Sequence, residues 1–248
     1  LLGANGAGKS TLLRLLSGER PPHTGRIWWG HRLLHTIAAA ELARRRAVLT
    51  QHTVVTLPFT VEEIVLMGRY PHYGSAPSGK DKEIVKECLK EMQAGHLKDR
   101  IFYTLSGGEQ QRVHMARVLA QLRGTGMDEG IRRGMDEVRS GLLLLDEPTS
   151  SLDWHHQQLC LQKARELAAG GYTVVIVLHD LNLTAQFADK IVLLKNGRLL
   201  AAGERDEVLQ PDFIHEAYGM ETQVFHPEGC PFPVIIPTTI KKEIYAND

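Results

Sequence analysis

Short runs of apolar residues alternate with longer amphipathic stretches along much of the chain. The clearest runs lie at 141–145 and 173–178, and polar residues follow each of them. Runs of this length are typical of strands that are buried on both faces, and the amphipathic stretches between them fit helices. The pattern therefore predicts an α/β fold with a mainly parallel sheet.

Between residues 60 and 122 the strand-like runs disappear and helical periodicity takes over. This stretch opens on Thr60 and Glu63, which have the spacing of a capping box ahead of apolar Ile64. It predicts an inserted helical subdomain. Further along, Asn196-Gly197 separates two apolar runs and predicts an antiparallel hairpin, because both residues tolerate a positive φ.

Composition narrows the classes of partner. The 248 residues include 29 basic and 29 acidic side chains, so no global field attracts nucleic acid or an anionic membrane surface. The longest apolar runs fall far short of the roughly 20 residues that cross a bilayer. Cys88, Cys160 and Cys230 are odd in number and far apart, which favours free thiols in a reducing compartment over a disulfide framework.

A glycine-rich motif near the start carries the first candidate chemistry. It fits the pattern G-x-x-x-x-G-K-[ST] with Gly3, Ala4, Asn5, Gly6, Ala7, Gly8, Lys9, Ser10 and Thr11. The glycines let backbone N–H groups converge on phosphate oxygens, and the N-terminus of the following helix adds partial positive charge. We expect Lys9 on the β- and γ-phosphates and the Ser10 hydroxyl on Mg²⁺. Taken alone, the motif could also be a glycine-rich turn before a helix.

A second predicted helix, at 113–122, has a start that suits an anion. Ser106 and Glu109 have capping-box spacing within Leu105-Ser106-Gly107-Gly108-Glu109-Gln110-Gln111-Arg112. A well-capped helix would explain that spacing, yet a cap needs no paired glycines. Gly107 and Gly108 leave the helix start bare of side chains, as a second phosphate site would need.

Two carboxylates, Asp146 and Glu147, directly follow the buried run that ends at residue 145. Open α/β sheets bind ligands at the carboxyl ends of their strands. Asp146 is the expected Mg²⁺ partner, directly or through water, because Mg²⁺ prefers oxygen ligands. Glu147 is the candidate general base for an attacking water. In isolation the pair could also be a solvated strand end.

Together, the segments 3–11 and 105–112 resemble the ABC ATPases, and the resemblance covers nearly the whole chain. It implies a P-loop NTPase fold with a RecA-like core, an inserted helical signature subdomain and antiparallel β elements. Because the chain opens on the glycine motif, we expect the family's first strands and its adenine-stacking aromatic to be missing. The implied plan is a single ABC transporter domain at 1–224, with the core at 1–52 and 141–224, the helical subdomain at 53–122, a flexible loop at 123–140 and a tail at 225–248.

The resemblance also implies roles for individual residues. Two copies pair head to tail, so that Ser106 and Gly108 of one face the γ-phosphate that Lys9 of the other binds. The implied signature residues are Ser106, Gly107, Gly108, Glu109 and Gln110, and the implied segment across the dimer is Ser151, Leu152 and Asp153. The implied catalytic residues are Glu147, the switch histidine His179 and the glutamine Gln51, and the implied Mg²⁺ ligands are Ser10, Gln51 and Asp146.

The implied function is that of the ATP-hydrolysing subunit of an import complex. Its expected partners are a second copy, a transmembrane permease dimer and, indirectly, a periplasmic or surface substrate-binding protein, with no nucleic acid. Its expected location is the cytoplasmic face of the bacterial inner membrane. The alternatives from another class are a non-transport ABC ATPase and a nucleotide-sensing module. Of these two, the sensing module would be expected to lack Glu147 or His179, and both residues are present in this chain.

Two further segments favour one group of importers. Residues 57–65 and the motif Gly68-Arg69-Tyr70-Pro71-His72 resemble the ATPases of haem, iron-siderophore and cobalamin importers. The insertion before Leu142 and the tail at 226–231 are most similar to the haem importers, with siderophores and cobalamin as alternatives. No histidine is expected to bind haem iron, because the cargo passes through the permease.

Overall fold

The computed structural model describes residues 1–51, 55–124 and 141–238. These residues form two compact units, one from the described residues within Leu1–Thr11 and Val177–Asp248 and one from those within Leu12–Ile176. The predicted loop at 123–140 and the end of the predicted tail lie outside the described residues from 125 and from 239 onward. The predicted domain boundaries stay a prediction.

The larger unit is built on a three-stranded sheet. Its strands β3 (Arg46–Leu49), β4 (Leu142–Asp146) and β5 (Thr173–Val177) lie in that order, and β3 is parallel to β4, with Arg46 opposite Leu142. Leu143, Leu144 and Leu145 are fully buried, as expected for a central strand. The strands predicted at 141–145 and 173–178 are therefore confirmed within one residue at each end. A separate two-stranded ribbon pairs β1 (Trp28–Trp29) with β2 (Arg32–Leu33).

Most of the core of this unit comes from residues 61–122, which pack with buried residues of β3 and β4. Val61, Ile64, Phe102 and Met115 are among its fully buried side chains. Single turns of 3₁₀-helix link the longer elements at Leu34–Thr36, Tyr70–His72, Gly95–Leu97 and Phe102–Thr104. The helices are α1 (Lys9–Leu16), which begins in the smaller unit, α2 (Ala39–Arg45), α3 (Val61–Met67), α4 (Gly79–Glu91), α5 (Gly107–Leu122) and α6 (Trp154–Ala169).

Both predicted capping boxes are present. Thr60 and Ser106 each accept a hydrogen bond from the backbone N–H three residues on, and Glu63 and Glu109 each accept one from the capping residue's own N–H. An N-cap of this kind is typically worth about 1 kcal/mol to its helix. The capping residues therefore mark where α3 and α5 begin, and α5 starts at Gly107, six residues before the predicted helix at 113–122.

The smaller unit contains the predicted hairpin. Strands β6 (Ile191–Lys195) and β7 (Arg198–Gly203) are antiparallel, and Asn196 and Gly197 turn between them with φ values of 49° and 74°. Leu2 forms a parallel bridge with Leu193. The remaining elements are α7 (Leu181–Phe187), α8 (Arg205–Val208), α9 (Pro211–Tyr218) and the antiparallel pair β8 (Thr222–Phe225) and β9 (Val234–Pro237). Within the described residues, no helix combines the length and apolarity that a membrane crossing requires.

Candidate nucleotide site

The glycine-rich loop adopts a conformation that its glycines make possible. Gly3, Gly6 and Gly8 have φ values of 145°, 78° and 99°, which other residues rarely adopt. A Cβ atom at Gly3 would lie 2.4 Å from the carbonyl oxygen of Leu194, so a side chain there would also clash. The loop runs directly into α1, whose first residue is Lys9. This conformation fits the predicted phosphate loop.

The Lys9 side chain folds back over this loop. It is 6% exposed, and its Nζ donates to the carbonyl oxygens of Gly3 and Ala4 at 2.8 and 3.0 Å. Ser10 and Thr11 are exposed in the first turn of α1. The loop therefore holds its lysine in place through its own backbone.

Two supports of the loop were not predicted from the sequence. The hydroxyl of Tyr218 accepts a hydrogen bond from the Gly3 N–H at 3.0 Å, and burial raises the pKa of this hydroxyl. The Gly197 N–H donates to the Ala7 carbonyl at 3.0 Å, so the tip of the β6–β7 hairpin braces the loop. Gly219, with φ 69°, signals the end of α9 after Tyr218, but nothing local indicates the contact with Gly3.

His179 lies in the same unit as the loop, between β5 and α7. Its side chain is exposed. The next residue, Asp180, caps α7 by accepting from the N–H groups of Asn182 and Leu183 at 2.7 and 2.9 Å. The histidine is thus fixed in the short link between a strand and a capped helix.

In the larger unit, the two predicted carboxylates have different surroundings. Asp146 ends β4 and is 9% exposed, and among the described residues its Oδ1 has no hydrogen-bond partner. A buried carboxylate oxygen without a hydrogen bond lowers the stability of the fold, because its lost hydration is not replaced. Such an oxygen is a suitable ligand for a hard cation, which prefers oxygen. Glu147 is partly exposed and has φ 51°. The structure brings Gln51 to it, with the Gln51 Nε2 donating to the Glu147 Oε2 at 2.7 Å.

At the start of α5, the capping box engages the hydroxyl of Ser106. This hydroxyl donates to the Glu109 Oε2 at 2.8 Å, and the Arg100 guanidinium lies 3.6 Å from the other carboxylate oxygen. The hydrogen bond from the Ser106 backbone is the main cause that lowers the pKa of Glu109. Gln110 donates from its Nε2 to the Leu105 carbonyl at 3.1 Å. The tip of the helix is therefore ordered by its own side chains.

The predicted dimer segment packs against this helix tip within the same chain. A Cβ atom at Gly108 would lie 2.9 Å from the Ser151 carbonyl oxygen, so Gly108 is needed for packing as well as for an open helix start. Leu152 is buried, and Asp153 caps α6 by accepting from the His156 N–H at 2.9 Å. Gln111, which was not predicted as a site residue, joins α5 to the carboxylate loop by donating to the Pro148 carbonyl at 3.0 Å.

Comparisons with known sequences identify the family. The family model described as ABC transporter matches residues 1–124. Three similar proteins are each named hemin import ATP-binding protein. The one from Bradyrhizobium diazoefficiens is 45% identical, covering 97% of this chain and 84% of its own. Those from Rhodopseudomonas palustris strain BisA53 and Gloeobacter violaceus are 46% and 45% identical, covering 100% and 96% of this chain and 86% and 82% of their own.

Solved structures agree as well. A chain of an ABC transporter, described as of the metal-chelate type in an inward-facing conformation, has a TM-score of 0.75 at 28% identity and covers 96% of this chain and 86% of its own. An ATP-binding cassette described as dimeric and bound to ADP and phosphate has a TM-score of 0.67 at 27% identity and covers 82% and 83%. The predicted P-loop NTPase fold is thereby confirmed. The chain belongs to the ABC transporter family, among its ATP-binding subunits.

Proposed function

We propose that this chain is the ATP-hydrolysing subunit of an importer that takes up haem across the bacterial inner membrane. The main support for haem as the transported substrate is the 45% identity, over 97% of the chain, to a hemin import ATP-binding protein. The residues of the nucleotide motifs, including Lys9, Asp146 and Glu147, are all present in the chain.

The phosphate loop binds the triphosphate of ATP. Its glycines, with their positive φ values, allow backbone N–H groups to approach the phosphates, and Lys9 exchanges the carbonyl oxygens of Gly3 and Ala4 for the β- and γ-phosphates. Because the lysine is already buried and held over the loop, little side-chain entropy is lost when a phosphate takes the place of these carbonyls.

Asp146, Ser10 and Gln51 would supply oxygen ligands for Mg²⁺, and the bound ion would neutralise charge on the phosphates. The Oδ1 of Asp146, which has no hydrogen-bond partner in the described part of the chain, supports this assignment. Glu147 acts as the general base that accepts a proton from the attacking water. Gln51 holds its carboxylate through the 2.7 Å hydrogen bond, and His179 contacts the γ-phosphate.

Two copies pair head to tail around ATP. Ser106 and Gly108 of one copy then face the γ-phosphate bound by the other, with Gly107, Glu109 and Gln110 completing the tip. The segment of Ser151, Leu152 and Asp153 lies near the same interface. A relative of known structure is described as a dimer with ADP and phosphate, which supports this arrangement. Loss of the γ-phosphate reopens the pair. The alternation between the closed, ATP-bound pair and the open pair moves a permease dimer, to which the pair binds at the cytoplasmic face of the membrane.

Reconstitution tests the cargo. The chain, assembled with its permease in liposomes, should hydrolyse ATP faster when haem-loaded binding protein is added than when the same protein is added empty. A complex that carries Glu147→Gln is the control for hydrolysis by this chain. Haem-loaded binding protein that gives no stimulation, in a complex that hydrolyses ATP, would exclude haem as the cargo.

A second cargo, an iron siderophore or cobalamin, is favoured by the solved transporter described as of the metal-chelate type. The same liposomes distinguish it, because each chelate is then offered on its own binding protein. Absence of Mg²⁺-dependent turnover under every condition, with ATP bound, would favour a nucleotide-sensing module instead.

A further inference from the structure

The motif Gly68-Arg69-Tyr70-Pro71-His72, here termed the 68–72 segment, holds the C-terminal end of α5. Arg69 donates from Nη1 to the Ala120 carbonyl at 2.7 Å and also to the Arg123 carbonyl. The His72 Nε2 lies 2.7 Å from the Gln121 carbonyl, which can only accept. The last carbonyls of a helix have no partners within it, so this segment supplies them.

The side chain of Arg69 is held in one orientation by its contacts with α4 and α5. It is 4% exposed, and its Nε donates at 2.9 Å to Asp81, which belongs to the capping box that starts α4. Burial acts to raise the pKa of Asp81, but hydrogen bonds from Ser78 and the charge of Arg69 outweigh it, so the pKa is lowered. The charged carboxylate balances Arg69 and joins the end of α3, the start of α4 and the end of α5.

The backbones in this region are also in direct contact. A Cβ atom at Gly68 would lie 2.3 Å from the Arg117 carbonyl oxygen, so only glycine lets the segment approach α5 this closely. Gln121 donates to the carbonyls of Ala43 and Arg46 at 2.9 and 3.0 Å, where α2 ends and β3 begins. Since β3 leads to Gln51, the end of α5 lies at a junction with the strand that carries this glutamine.

We infer that Arg69 and His72 are positioning residues for ATP turnover. Through the carbonyls at the end of α5 they set where its other end, Ser106 to Gly108, can lie when two copies pair. The helix has 16 residues and is about 24 Å long, so a small rotation at its held end displaces the distant tip. Tyr70, between the two residues, is 59% exposed and takes no part in this contact. The inference rests on the proposed role of Ser106 in ATP-dependent pairing.

A matched pair of substitutions at His72 tests the inference. His72→Leu removes the donor to Gln121, whereas His72→Gln retains an N–H that can reach it. We expect His72→Leu to lower kcat about five- to tenfold, the effect of one lost hydrogen bond, with the KM for ATP unchanged. His72→Gln should restore kcat to within about twofold. Tyr70→Ala is the control in the same segment and should leave kcat unchanged.

The role of Arg69 is tested by replacing both members of its ion pair with Asp81. Arg69→Met with Asp81→Leu leaves no lone buried charge, so the fold should be retained. This double variant should lower kcat more than His72→Leu and leave the dissociation constant of ATP from the single subunit unchanged. Equal kcat values for His72→Leu and His72→Gln would overturn the inference. So would a loss of kcat matched by an equal loss of ATP affinity.

Hydrogen exchange separates this inference from the proposed function. Amides 110–112, near the tip of α5, should exchange at least about threefold faster in His72→Leu than in His72→Gln or Tyr70→Ala. If the unsubstituted chain binds ATP without turning it over, the proposed function fails, and exchange alone then decides the inference. Exchange that is equal in all three variants would overturn it.

Discussion

Adjacent carboxylates in the same short stretch, Asp146 and Glu147, owe their different chemistry to their surroundings. Asp146 is held in the sheet, and one of its oxygens has no hydrogen-bond partner within the ranges that the structure describes. Glu147 has the left-handed φ of 51° and accepts a hydrogen bond from Gln51. A left-handed residue other than glycine costs roughly 1–3 kcal/mol, which persists only where the surroundings enforce it. The sequence indicates the strand end and its acids. The φ and the Gln51 contact depend on tertiary structure and had no local signal.

Substitution Glu147→Gln should separate binding from hydrolysis. We expect phosphate release to fall by at least about a hundredfold, because general-base catalysis contributes about 10² to 10⁴ in rate. ATP binding should persist, because the phosphate loop is unchanged. The free energy of unfolding should change little, since glutamine has the same shape and meets the same backbone requirement. Phosphate release, ATP binding and thermal unfolding measure the three effects, and near-normal turnover would remove Glu147 from the role.

The element that links stability to function is the capping box, which the chain uses at more than one helix. Thr60 with Glu63 starts α3, and Ser106 with Glu109 starts α5. The chemistry of the two caps is the same, so each should contribute a similar free energy to folding. Only the second lies in the signature motif. The chain therefore offers a matched control for any effect of Ser106 on pairing.

Substitutions Ser106→Ala and Thr60→Ala should each lower the free energy of unfolding by about 1 kcal/mol. Only Ser106→Ala should also raise the protein concentration at which ATP drives dimerisation, because its hydroxyl is proposed to meet the γ-phosphate of the other copy. Denaturant unfolding and sedimentation in the Glu147→Gln background measure the two quantities. Equal dimerisation of the two variants would show that Ser106 acts in this helix as a cap alone.

The elements that could be predicted from sequence are those with local signals. The caps at Thr60 and Ser106 each span four residues, and the Asn196-Gly197 turn is set by two residues that accept positive φ. The contacts that hold the site parts join distant residues. Tyr218 meets Gly3 across 215 positions, and Arg69 meets the Ala120 carbonyl across 51. A hydroxyl or guanidinium can cap any nearby backbone group, so its partner is decided by the fold.

At the scale of the whole molecule, the family and the fold can be predicted from the nucleotide motifs of the sequence. The transported cargo cannot be predicted from these motifs. The phosphate loop, the carboxylates and the signature helix are proposed to bind and hydrolyse ATP, whose chemistry is the same whatever is transported. The features that favour haem are similarities of sequence, and part of the insertion that contributed to them lies outside the described residues. The cargo must therefore be identified by reconstitution with the permease. The reactivity and stability of the folded chain, in contrast, can be predicted from its buried core.

The three cysteines give a test of that core. Cys88 in α4 and Cys160 in α6 are buried, and burial raises the pKa of each thiol to about 12. Cys230 is partly exposed and donates from Sγ to the Phe232 carbonyl. Since the thiolate is the reactive form, iodoacetamide at neutral pH should label Cys230 in the native chain and all three residues after denaturation. Mass spectrometry reads the sites, and native labelling of Cys88 or Cys160 as fast as that of Cys230 would contradict the burial.

The same thiols should make stability depend on pH. In the unfolded chain each ionises near its ordinary pKa of 9.0, whereas in the folded chain it stays protonated to about pH 12. Between these values the unfolded state binds fewer protons, so the free energy of unfolding falls as pH rises, by roughly 1 kcal/mol per thiol at pH 10. The double variant Cys88→Ala with Cys160→Ala lacks this contribution. Its loss of stability between pH 8 and pH 10, measured by urea unfolding, should therefore be smaller than that of the unsubstituted chain by about 2–3 kcal/mol. Equal losses would mean that the two thiols ionise alike in the folded and unfolded states.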